Sequence, residues 1–213
     1  MVVPFGDEAA QRAAAPRVVE HLRAGGLILY PTETVFGLGG LTERAPLERL
    51  STLKSRAEEK PFLLLVSELA QAPGLHWTTA ARVLADVFWP GPLTLVLRDT
   101  ERRYPPGVAS SSGGVALRRT PHAGMRILLD TLGAPVTSTS ANAPGVEPAR
   151  TAAEAHALLN ELPAESGVWL LEGAAGGAAP STVLDCTRER PRLVRAGAVS
   201  LERIREVVHD VEA

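Results

Sequence analysis

Residues 27–30 and 62–66 are short, unbroken apolar runs, closed by Pro31 and Ser67, and residues 93–97 form a similar run interrupted only by Thr94. Runs of this length suit strands buried on both faces and are too short for buried helices. Between them the apolar period changes. Val18, Val19 and Leu22 recur at helical spacing and stop at Gly25-Gly26. Leu47, Leu50 and Leu53 form a second stripe that ends near Lys54, and a third helical segment, 80–88, stops at Trp89-Pro-Gly-Pro92. Proline and glycine end helices by steric clash and by conformational freedom. This alternation predicts an α/β fold.

The second half follows the same pattern. Residues 115–117, 136–139, 168–171, 182–184 and 193–194 read as strands. Thr120-Pro121 predicts an N-cap followed by proline at the first helical position, with the helix running to Leu132 and closed by Gly133. Thr151 and Glu154 form a capping box, and Ser200 caps the last helix. Residues 104–114 hold two prolines, three serines and three glycines, which predicts a mobile loop. The glycine and alanine run 173–179 reads as a loop, since strand signals resume at once. The expectation is one domain over residues 10–210, a twisted mixed sheet flanked by helices.

Charge and composition narrow the function. The net charge of −2 argues against an indiscriminate nucleic-acid binder, and 4% aromatic residues offer few stacking platforms. Cys186 is the single cysteine, so no internal disulfide forms. The N-terminal residues lack the apolar core of a signal peptide. The longest apolar stretch, 62–66, falls far short of the roughly 20 residues a membrane span needs. A cytoplasmic protein without membrane contact is expected.

Several standard sites are excluded. No glycine-rich loop runs into Gly-Lys-Ser/Thr, and Thr42 stands where the third glycine of a dinucleotide fingerprint belongs. Neither HExxH nor GxSxG occurs. His21, His76, His122, His156 and His209 lack metal-ligand spacing and read as surface or capping residues, so no resident metal site is expected.

What remains are polar groups at the ends of buried strands, where α/β proteins bind ligands. One group is Thr32-Glu33-Thr34 after Tyr30-Pro31. Another is Lys54-Ser55-Arg56 with Lys60, where cations at a helix end suit either the macrodipole or an anion. The others are Ser138-Thr-Ser140-Ala-Asn142, Pro180-Ser181-Thr-Val, and Val194-Arg195-Ala-Gly197. Taken singly, each is compatible with a capped turn as well as with a ligand edge.

In order, these segments resemble a known family. Pro31-Thr-Glu-Thr-Val-Phe-Gly-Leu-Gly39 matches its opening motif, and Lys54-x-Arg56 with Ser140-x-Asn142 matches its KxR and SxN pairs. Phe88-Trp-Pro-Gly-Pro-Leu-Thr-Leu-Val-Leu97, Val115-Ala-Leu-Arg118, Pro180-Ser-Thr-Val and Leu193-Val-Arg-x-Gly197 follow. The sequence is similar to the YrdC-like family of threonylcarbamoyl-AMP synthases over residues 16–208, in the short form without an extra C-terminal domain. It departs at Gly40, Leu65 and Ser55, the last replacing a common glycine or asparagine.

The resemblance implies an α/β fold with a concave, positively lined cavity. It implies a nucleotidyltransferase that makes threonylcarbamoyl-adenylate and pyrophosphate from L-threonine, bicarbonate and ATP, with Mg2+ carried on the ATP. The product would serve threonylcarbamoyl modification of adenosine 37 in tRNA, through downstream tRNA-modification proteins. By resemblance, Lys54, Arg56 and Arg195 hold the phosphates, Lys60 lies near the nucleotide, and Ser140 and Asn142 bind the nucleotide side. Arg118 would pair with the threonine carboxylate, and Thr34, Ser138 and Ser181 would hydrogen-bond threonine. Two other readings keep the same fold. One is an RNA-binding or ribosome-associated factor using Arg102-Arg103 and Arg118-Arg119; the other is carbamoyl transfer, as in YrdC-like domains of hydrogenase-maturation factors.

Overall fold

The computed structural model describes residues 1–55, 61–143, 145–177 and 179–213. In chain order the elements are β1 (Val2–Pro4), α1 (Glu8–Arg23), β2 (Leu27–Tyr30), β3 (Gly37–Gly39), α2 (Arg44–Leu53), β4 (Leu63–Val66), β5 (Leu75–His76), α3 (Thr79–Phe88) and β6 (Leu93–Asp99). Then follow β7 (Gly114–Arg119), α4 (Ala123–Leu132), β8 (Val136–Ser140), α5 (Ala152–Glu161), β9 (Val168–Glu172), β10 (Thr182–Asp185), β11 (Arg192–Arg195) and α6 (Leu201–Arg205). The strands form one sheet in the order β1-β9-β2-β3-β8-β4-β7-β6-β10-β11, with β5 beside β6. Parallel and antiparallel neighbours mix: β4 runs parallel to β7 but antiparallel to β8. The expected mixed sheet flanked by helices is what the chain forms.

The period of two divides the sheet's faces. Leu64 and Val66 of β4, Leu93, Leu95 and Leu97 of β6, Leu117 of β7 and Leu184 of β10 point to one side. There they meet Leu47 and Leu50 of α2, Leu84 of α3, Ala155 of α5 and Ile204 of α6 in the main core. On the other side α1 and α4 pack together over Ile28, Tyr30, Leu65, Val136 and Leu171. That second cluster reaches across β9, β2, β8 and β4 and contains no residue of β7, β6 or β10. Half of one face therefore lies outside both apolar clusters.

Three local expectations change. α1 begins at Glu8, capped by Asp7 Oδ1 accepting from Ala10 N at 2.8 Å, and it carries Pro16 inside. The alanine-rich stretch before Pro16 supplies enough helix propensity to outweigh one missing backbone bond. Thr120 is not a helix N-cap. α4 begins three residues later, where His122 Nδ1 accepts from Met125 N at 3.3 Å. Burial lowers the His122 pKa, so the ring is neutral, and its Nε2 donates to Ala174 O at 3.3 Å.

The segment 104–114, expected to be a mobile loop, carries anchors in its first half. Tyr104 N donates to Asp99 Oδ2, Tyr104 Oη donates to Pro73 O, and Phe62 N donates to Gly107 O. Val108 is fully buried in the main core. One apolar anchor outweighs a glycine-rich and serine-rich composition.

Candidate functional site

Sheet register places the candidate residues on one face. Arg118 stands opposite Leu65, Leu65 opposite Val136, and Leu63 opposite Ser138. Cross-strand partners share a face, so Arg118 and Ser138 project together on the side of α1 and α4. Across β6, Val96 pairs with Ala116 and Thr94 with Val183, which carries the same face to Thr94 and Ser181. Thr94, Arg118, Ser138 and Ser181 are all buried, yet none belongs to either apolar cluster. They occupy the half-face that the α1–α4 layer leaves uncovered.

Thr34 enters from the β2–β3 turn. Thr32 Oγ1 donates to Val35 O at 2.7 Å and accepts from Thr34 N at 3.1 Å, and the two threonine hydroxyls lie 3.0 Å apart. Ser181 Oγ lies 2.9 Å from Thr94 Oγ1 and accepts from Arg195 Nη2 at 3.1 Å. Arg195 also donates twice to Ser181 O. Its pKa is lowered, chiefly by desolvation and then by the charge of Arg118. Two guanidinium groups near enough to repel each other are the kind of pair that a bound anion stabilises. Beneath them the Tyr30 phenol, whose Oη donates to Thr137 O at 3.2 Å, is pushed up to about 12, mainly by burial, and stays neutral; the nearby Ser138 hydroxyl and the Arg118 charge oppose that shift.

The second half of the site is a clamp. Lys54 caps the C-terminal end of α2, and its Nζ donates to Ser140 O at 3.0 Å, Asn142 O at 2.6 Å and Asn142 Oδ1 at 2.9 Å. Ser140 Oγ donates to the same Oδ1 at 2.6 Å, and Asn142 Nδ2 donates to Val146 O at 2.7 Å. These bonds from one ammonium organise the turn after β8. Arg56 and Lys60 lie outside the described residues. A hollow of about 310 Å3 adjoins the clamp, lined by Leu38, Leu53, Lys54, Asn142 and Leu158; it does not include Thr34, Arg118, Ser138 or Ser181.

Ser55, next to the clamp, has φ of +43°, in the left-handed region. Glycine or asparagine adopts that conformation with less strain. Ser55→Gly is therefore expected to gain about 0.5–1 kcal/mol of stability, a rise of a few degrees in melting temperature. An unchanged or lower melting temperature would count against that strain.

Two residues join the site that the sequence did not single out for it. Glu33 lies beside Arg118, with Oε1 3.4 Å from Nε, and its Oε2 accepts from Thr120 Oγ1 at 2.8 Å. The only sequence signal was their position, Glu33 inside a strand-end motif and Thr120 directly after Arg118-Arg119. The arginines proposed for RNA are mostly engaged. Arg118 is buried, Arg119 pairs with Glu68 at 2.6 Å, and Arg103 pairs with Glu101 at 2.5 Å.

A mixed sheet flanked by helices, with a buried cluster of hydroxyls and arginine outside both apolar clusters, defines an α/β protein with a polar candidate site. Residues 20–197 match the model of the Sua5/YciO/YrdC family, described as "Telomere recombination". The chain belongs to that family. It is 38% identical over 184 residues to the threonylcarbamoyl-AMP synthase of Chromohalobacter salexigens, covering 84% of this chain and 94% of that protein. Among solved structures, Pyrococcus abyssi Sua5 complexed with L-threonine superposes with a TM-score of 0.86 at 28% identity, over all of this chain and 62% of that one. Escherichia coli YciO shares the fold, with a TM-score of 0.80 at 24% identity.

Proposed function

We propose that this chain is a threonylcarbamoyl-AMP synthase, joining L-threonine, bicarbonate and ATP into threonylcarbamoyl-AMP and pyrophosphate. The observation that supports the reading is that Arg118 and Ser138 share one face of the sheet with Ser181, which Arg195 bonds, in a family whose P. abyssi member is solved with L-threonine.

Threonine and bicarbonate condense to a carbamate with loss of water. A carbamate oxygen then bonds to the α-phosphorus of ATP while the bond to the bridging oxygen breaks and pyrophosphate leaves. The nucleophile is already an anion, so the site needs positioning and charge stabilisation more than a strong base. Arg118 holds the threonine carboxylate as a bidentate fork. Thr34, Ser138 and Ser181 supply hydroxyls for the rest of the amino acid. Arg195, with Arg56 and Lys60, takes the phosphates, and Mg2+ arrives with the nucleotide as part of the substrate. Lys54, Ser140 and Asn142 shape the nucleotide side. The mixed-anhydride product is consumed by transfer to an amine, here adenosine 37 of tRNA.

Selectivity tests the reading. A polar pocket left unpaired costs about 1–3 kcal/mol, on the order of a tenfold to hundredfold loss in rate. Pyrophosphate release is expected to be fastest with threonine, weaker with serine, which loses a methyl contact, and far poorer with valine or alanine. Valine equal to threonine would show that no side-chain hydroxyl is read. Release independent of any amino acid would sink the function.

A further inference from the structure

Glu33 and Arg118 face each other without completing a bond. Arg118 Nε and Glu33 Oε1 are 3.4 Å apart, and both atoms are enclosed with no hydrogen-bond partner. The Arg118 side chain is only 5% exposed. Enclosed polar atoms left unbonded cost free energy, so other contacts must hold the two side chains in place.

On the Glu33 side those contacts are visible. Its Oε2 accepts from Thr120 Oγ1 at 2.8 Å, and the same hydroxyl oxygen accepts from His122 N at 3.1 Å. Its backbone is seated by the glycine and alanine segment after β9. Gly176 N donates to Thr32 O at 2.8 Å, and a Cβ on Gly176 would lie 2.0 Å from Glu33 O. Glu33 is thus fixed at its main chain and at one carboxylate oxygen. The other oxygen is set against the inner edge of Arg118.

We propose that Glu33 is a positioning residue that acts through Arg118. By engaging the Nε edge it sets the plane of the guanidinium and leaves the terminal nitrogens as a fork for a carboxylate. The inference rests on the proposed threonine site. It also differs in sign from a simple charge effect. If Glu33 only offset the positive charge of Arg118 and Arg195, removing its charge would strengthen carboxylate binding. If it positions Arg118, removing its charge weakens binding, because a neutral amide, even with its oxygen turned to Nε, holds the guanidinium less firmly than a carboxylate and lets it swing.

The test is calorimetric titration of L-threonine and, separately, ATP into the wild-type chain, Glu33→Gln, Arg118→Lys and the double variant. Pyrophosphate release by the wild type is measured alongside. Threonine binding by Glu33→Gln is expected to weaken about tenfold, with ATP binding within about twofold. In the Arg118→Lys background the Glu33 change is expected to add nothing, as non-additivity requires of residues acting as a unit. Thr120→Val, which frees Oε2, should show the same loss for threonine alone, and it serves if Glu33→Gln does not fold. Equal or tighter threonine binding in these variants, losses that multiply, or no threonine binding by the wild type would overturn the inference. Weakened threonine binding in the variants without pyrophosphate release by the wild type would leave the positioning role standing and remove the synthase reading.

Discussion

Lys54→Met is expected to lower pyrophosphate release at least about a hundredfold, the scale seen when one preorganised electrostatic donor is removed. It is also expected to cost about 1–3 kcal/mol of stability. Methionine keeps the aliphatic stem but removes the ammonium. Ser140 O, Asn142 O and Asn142 Oδ1 then lose their shared donor. The turn after β8 is left to Ser140 Oγ and to the Asn142 amide, whose Nδ2 still reaches Val146 O. Turnover and calorimetric melting measured on the same preparation check both effects. Loss of turnover at an unchanged melting temperature would make Lys54 a ligand for phosphate alone. Near-normal turnover would remove it from the site.

Gly39→Ala is expected to be the most damaging small substitution in the chain, costing about 3 kcal/mol or more. β3 is squeezed between β2 and β8, and a Cβ at Gly39 would lie 1.6 Å from Thr137 O. That atom belongs to the backbone of β8, so no rotamer change relieves the contact. Because β8 also carries Ser138 and Ser140, the damage should reach the site as well as the fold. Denaturant unfolding provides the measurement, and a midpoint within experimental error of the wild type would refute the close approach.

Much of this architecture was legible because burial on both faces leaves unbroken apolar runs. β2 and β4 are such runs, and both were read to within a residue. The capping box at Thr151 and the cap at Ser200 were equally plain, since short polar side chains there have one obvious role. β3 was hidden because a strand reading Gly-Leu-Gly has almost no β propensity; it exists because its neighbours demand a backbone without side chains. β1 and β5 are too short to show a period.

The site was legible as a set of residues but not as two separate groups. Lys54, Ser140 and Asn142 do meet, while Arg118 and Ser138 share a face only through sheet register, Ser181 bonds Arg195, and Thr34 stays in the turn after β2. Register is a long-range property, and no local pattern encodes it. Glu33 was missed for a similar reason: its partners, Thr120 and Arg118, become neighbours only through tertiary folding.

β11 lies at the margin of the sheet, paired along β10 and, among the described residues, bridged on its outer side where Arg192 meets Glu212. Val194 is 56% exposed, and little apolar surface holds this strand in place. Margins of this kind open locally at a free-energy cost below that of global unfolding. Each such opening carries Arg195 away from Ser181 and leaves the other residues of the half-face where they are. Such an opening would leave the protein folded, with Arg118 and the hydroxyls in place, yet without Arg195, one of the cations proposed for the site. Conditions that fray the margin would weaken the hold on phosphate well before they disturb the core.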